Sequence, residues 1–145
     1  MIDRLSALFP GLQASPFRVT SPADPNYNCI AWAAGSTADW WWPLDDVRRY
    51  FWPAGVSREI SLPAFAAAFG ALGYAICSDD SFEPGFEKVA IFADAVGTPT
   101  HAARQLPTGR WTSKLGQRED IEHDLRALEG DIYGRVVMML QRPRT

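Results

Sequence analysis

The stretch Tyr27-Asn28-Cys29-Ile30-Ala31-Trp32-Ala33-Ala34-Gly35 constrains this chain more than any other. Asn28 is a good N-cap, because its side-chain oxygen can accept from a free backbone N–H of the first helical turn. Pro25 and Asn26 before it read as a turn, and Gly35 is a stop signal. Ile30 to Ala34 are apolar nearly all round, so the short helix they predict must be buried. That helix carries a thiol in its first turn. A cysteine there faces unpaired N–H groups and the positive end of the dipole, which favours the thiolate. The alternative is a structural cysteine, since free Cys is among the most buried residue types.

The rest of the chain has to supply what surrounds this helix. With 145 residues, 1–145 is a single domain long enough to bury a core. A net charge of −3, with no basic run or stripe, argues against a nucleic-acid partner. No stretch is long and apolar enough to span a bilayer, so no membrane partner is expected. The N-terminus carries Asp3 and is cut by Pro10, which is not a signal-peptide pattern, so a cytoplasmic location is expected, with delivery by a secretion apparatus open. Free thiols are then the default for Cys29 and Cys77. With two cysteines, two histidines and no CxxC pair, a structural zinc site is not expected.

Residues 2–9 predict a short amphipathic helix, and the prolines of 10–28 predict loop, with an extended piece at Phe17-Arg18-Val19. Residues 36–60 are aromatic and irregular, with Trp40-Trp41-Trp42-Pro43 and one or two helical turns over Asp45–Tyr50. Their rings either complete the core or form a cleft wall beside Cys29, in which case Trp41 and Trp42 would touch substrate. Ser61 caps a second helix with Phe65, Phe69 and Leu72 on one side, ended by Gly73. Strands follow at 74–77, 87–93, 101–105 and 110–114, the last two joined by a turn at Pro107-Thr108-Gly109. Ile121, Leu125 and Leu128 predict a helix over 118–129, closed by Gly130, and 133–141 predicts a last strand.

The order is a Cys-headed helix, then antiparallel strands, one of them opening with His101. A nucleophile and its base need only be close in space. A His at the start of a strand can project over the N-terminus of a helix packed on that sheet and take the thiol proton. His123 falls inside the predicted final helix, off its apolar stripe, as a surface or supporting residue or an orienter of the Gly116 turn.

On these residues the sequence resembles the papain-like cysteine amidases and peptidases, in the Cys-then-His order of the NlpC-type and CHAP enzymes. The resemblance covers residues 25–35 and 86–116: Tyr27 to Ala33, the apolar strand Val89 to Phe92, His101, the Gly109 turn and the strand Trp111 to Ser113. It implies an α+β fold with a papain-like core, the Cys29 helix packed on an antiparallel sheet of four to six strands. It makes Cys29 the nucleophile and His101 the general base. The family's third residue, usually His, falls on Ser113, a departure, since a hydroxyl stabilises an imidazolium less than a carboxylate would. Gln105, on the same face of the strand as His101, is a rival orienter. The oxyanion would be held by the Cys29 backbone N–H, with Tyr27 matching a tyrosine that assists there and Asn28 beside it. No metal or organic cofactor is implied. The expected substrate is a peptide or another amide, cleaved through a thioester on Cys29, with acyl transfer or deamidation compatible with the same pair. Peptidoglycan peptides are one substrate class the resemblance suggests. The alternative is an inactive papain-like fold that binds a protein partner through its tryptophans.

Overall fold

Asp3 opens the described part of the chain by capping a helix. Its carboxylate accepts the Ser6 N–H at 2.8 Å, and α1 runs Arg4–Leu8. The computed structural model describes residues 3–145, so the first residue of the helix expected over 2–9 lies outside it. Pro10 stops α1 by removing a backbone donor, and a 3₁₀ turn over Pro10–Gln13 follows. The chain continues as β1 (Arg18–Ser21), α2 (Cys29–Ala33), α3 (Leu62–Gly70), β2 (Ala75–Cys77), β3 (Phe86–Ala93), β4 (Pro99–Gln105), β5 (Trp111–Lys114), β6 (Asp120–His123), a second 3₁₀ turn (Leu125–Leu128) and β7 (Arg135–Pro143).

The fold is α+β. All seven strands join one antiparallel sheet in the order β1-β6-β5-β4-β3-β7-β2. That is one strand more than the four to six expected. The extra strand is β6, formed by residues that read as helix. Ile121, Leu125 and Leu128 do share helical spacing, but Asp120-Ile121-Glu122-His123 also alternates, and pairing with β5 and β1 selects the alternation. The helix expected over 118–129 is therefore a strand followed by a 3₁₀ turn.

Both faces of the sheet are covered, which explains why Val89 to Ala93 of β3 are buried without a break. Val89, Ile91 and Ala102 face a layer made by α2, α3 and the aromatic segment. Ala90, Phe92, Ala103 and Trp111 face a layer made by α1 and the two 3₁₀ turns. The aromatic segment divides between core and surface. Trp41 and Trp52 are buried, with Trp52 packed 5.2 Å from the Phe65 ring of α3. Residues 45–50 make a single turn, in which the Asp46 carbonyl accepts from Arg49 and Tyr50. Among the described residues no helix is long and apolar enough to cross a membrane.

Candidate active site around Cys29

Local chemistry fixes the start of α2. The Asn28 side-chain oxygen accepts the Ala31 N–H at 3.1 Å, which caps the helix, and also the Trp41 N–H at 3.0 Å. Its amide nitrogen donates to the Trp41 carbonyl at 2.7 Å. One buried side chain thus ties the Cys29 helix to the tryptophan segment. On the far side, Trp32 donates its indole N–H to Thr112 of β5 at 2.9 Å.

The pairing of β4 with β5 ends at Arg104↔Thr112. Beyond that point, where β5 supplies no partner, the N–H of Ala102 faces the Cys29 sulfur, as do the N–H groups of Ile30 and of Cys29 itself. These donors favour the thiolate, but burial outweighs them and pushes the thiol up to about 11. Cys29 is 7% exposed and meets solvent through a cleft of about 300 Å³ walled by Trp40, Trp42, Leu44, Tyr50 and Tyr133. Cys29 and Cys77 are both free thiols.

His101 is the third residue of β4 and is fully buried. Alternation along β4 turns Ala102 toward α2 and His101 to the opposite face, beside Phe92 at 5.1 Å between ring centroids. The imidazole therefore lies on the sheet face opposite α2, and among the described residues its hydrogen bond is to Ser113, with none to the thiol. The ring of Tyr133 lies flat on His101, with centroids 3.9 Å apart and planes at 10°. Gly134 makes that placement possible: its φ is +76°, and a Cβ there would lie 1.9 Å from the Ala93 carbonyl oxygen.

A chain of hydrogen bonds behind the imidazole assigns its tautomer. His123 Nδ1 lies 2.7 Å from the Asp124 carbonyl, which can only accept, so that nitrogen carries the proton. His123 Nε2 is then an acceptor, and Ser113 Oγ–H donates to it at 2.7 Å. Ser113 Oγ in turn accepts from His101 Nε2–H at 2.9 Å. His101 Nδ1 is left with a lone pair, buried and without a hydrogen-bond partner among the described residues. Burial, with the neighbouring His123, holds the His101 imidazole well below the usual range, and burial lowers His123 to about 4. Both rings are neutral at pH 7.

The other expected residues fall in varied places. Ser113 contacts His101, whereas Gln105 does not: its amide donates to the carbonyls of Asp80 and Gly109 at 3.4 and 3.3 Å, so it cannot orient the imidazole. Tyr27 does not line the cleft, and its hydroxyl donates to the buried Asp120 at 2.8 Å. Asn28 lines the cleft but spends its amide on Trp41 and Ala31. Trp42 is a wall residue, whereas Trp41 is core and Trp40 takes the wall position instead. Among the described residues no group of three His, Cys, Asp or Glu side chains could hold a metal ion.

A family model described as a domain of unknown function, DUF7689, matches residues 18–141. The chain belongs to the DUF7689 family. No curated protein and no solved structure matches it. The DUF7689 match runs from the first residue of β1 into β7 and includes the thiol, both histidines and every cleft wall.

His123, for which a supporting role was one expectation, takes that role in the chain behind His101, from strand β6 rather than from a helix. Two further features of this DUF7689 site were not among the expectations. Tyr133 covers the imidazole from a distant turn, and the Gly134 after it was the only local mark. Lys114 is fully buried, with its ammonium donating to the carbonyls of Asp24 at 2.5 Å and Gly116 at 2.7 Å and lying 4.6 Å from the Tyr27 ring centroid. It pins the loop entering α2 to the turn after β5, and no sequence pattern distinguishes it from a surface lysine.

Proposed function

We propose that this protein is a cysteine-dependent amide hydrolase with a papain-like core, acting through Cys29 and His101. One observation carries the reading. A buried imidazole, oriented by Ser113 and His123, keeps an unpartnered lone pair on Nδ1. It springs from the residue preceding Ala102, whose N–H faces the thiol. An unsatisfied acceptor in a dry site costs about 1–3 kcal/mol, and a proton to be taken from Cys29 during reaction gives it a use.

In this mechanism the substrate carbonyl enters the aromatic cleft. His101 Nδ1 takes the thiol proton as Sγ bonds to the carbonyl carbon, and the Cys29 N–H stabilises the oxyanion. Collapse breaks the C–N bond, and the imidazolium gives its proton to the departing amine. Water, deprotonated by His101, then cleaves the thioester and regenerates the thiol. Because the resting pair is neutral, the proton moves only as the bond forms.

The test is acylation by p-nitrophenyl acetate in a Cys77→Ser background. A burst of p-nitrophenolate stoichiometric with protein is expected, with the acetyl group on Cys29 by mass spectrometry and none in Cys29→Ala. No burst, or an unmodified Cys29, contradicts the proposal. A second reading, a binding module that keeps the fold without catalysis, is favoured by the raised thiol pKa and by the Tyr133 ring lying on the imidazole. It predicts no burst.

A further inference from the structure

The walls of the thiol cleft are mostly aromatic, and the side chains of Asn28 and Thr100 are already engaged. Asn28 bonds Trp41 and Ala31, and the Thr100 hydroxyl donates to the Tyr133 carbonyl. What remains to meet a ligand are the rings of Trp40, Trp42, Tyr50 and Tyr133, with their indole N–H and hydroxyl groups, and the side chain of Leu44. A space of about 300 Å³ fits a benzyl or branched alkyl group, and none of its walls bears a charge.

Trp40 and Tyr50 also border a second cleft of about 320 Å³, completed by Pro25, Arg49 and Gln117. Arg49 is the one charged side chain lining either cleft among the described residues. Its guanidinium sits 5.5 Å from the Tyr50 ring centroid, and no carboxylate pairs with it among the described residues. Neither cleft offers a carboxylate to pair with an ammonium group, whereas a carboxylate finds Arg49.

We infer that the substrate is an N-acyl amino acid or a short peptide C-terminus, with a large apolar group on the acyl side and a carboxylate on the amine side. The inference rests on Cys29 acting as the nucleophile of an amide hydrolase. The apolar group fills the thiol cleft, and the carboxylate turns past Trp40 and Tyr50 to Arg49.

Binding tests this without turnover. In Cys29→Ser, tryptophan fluorescence is titrated with N-(3-phenylpropanoyl)glycine, with N-acetylglycine, and with the neutral N-(3-phenylpropanoyl)glycinamide. Burying the phenyl group is expected to give about 30-fold tighter binding than the acetyl compound. The carboxylate is expected to add about 3-fold over the neutral amide, since Arg49 is exposed. Leu44→Asp should remove the first preference and Arg49→Gln the second. Equal binding of all three ligands, or preferences that neither variant alters, overturn the inference. If the preferences hold but p-nitrophenyl acetate gives no burst, the cleft assignment stands and the nucleophile reading falls. A burst without the preferences leaves the hydrolase reading standing and removes this substrate class.

Discussion

Replacing His101 by Ala is expected to slow acylation of Cys29 by p-nitrophenyl acetate at pH 7 by about 100-fold or more, the range for losing a general base. The effect is large because the unassisted thiol is scarcely ionised at this pH. Burial holds it up to about 11, so the thiolate is scarce at neutral pH and the proton must leave during attack. Single-turnover stopped-flow measures the rate directly. Ser113→Ala and His123→Ala leave the base present but release its tautomer, so each should cost less than His101→Ala. A His101→Ala rate within a few-fold of wild type would show that the imidazole is structural.

Acid should unfold this protein earlier than its carboxylates alone would. His123 has an ordinary pKa of 6.5 in the unfolded chain and about 4 in the fold. Its folded value is depressed, so the stabilisation is full above pH 6.5 and is lost as pH falls toward 4. Over that window the unfolded chain binds a proton that the fold refuses, worth about 3 kcal/mol. His101 shifts in the same direction and adds to the loss. Urea unfolding at pH 7 and pH 4.5 checks this. The difference should shrink by a substantial part of that amount in His123→Asn, although Asn at this position lowers stability at pH 7. An unchanged pH dependence would mean that His123 is not buried neutral.

What could be read from the sequence is what is decided locally. Asn28 caps α2 through its own neighbours, Ser61 caps α3 in the same way, and the apolar run of β3 is continuous because both faces of a central strand are covered. The contact of His101 with Ser113 matches the position that the papain-like resemblance implied for the third residue, on two adjacent strands joined by the Gly109 turn. The remainder depends on partners far along the chain. Residues 120–123 satisfy both a helical and a strand pattern, and the choice is made by β1, about a hundred residues earlier, with Thr20 and Tyr27 bonding Asp120. Tyr133 reaches His101 only because β7 inserts beside β3. The three consecutive tryptophans look alike in composition, and the bonds of Asn28 to Trp41 decide which ring turns inward.

The pH dependence of Cys29 alkylation by iodoacetamide, in Cys77→Ser with and without His101→Ala, tests the account most directly. With His101 present, a reactive plateau should extend through neutrality to below pH 6, because the imidazole stays unprotonated well below its usual range. A second rise should follow toward pH 11 as the thiolate forms. His101→Ala should lose the plateau and keep only the alkaline rise. Superimposable profiles would contradict the account, leaving Cys29 an ordinary buried thiol at the head of a structural helix.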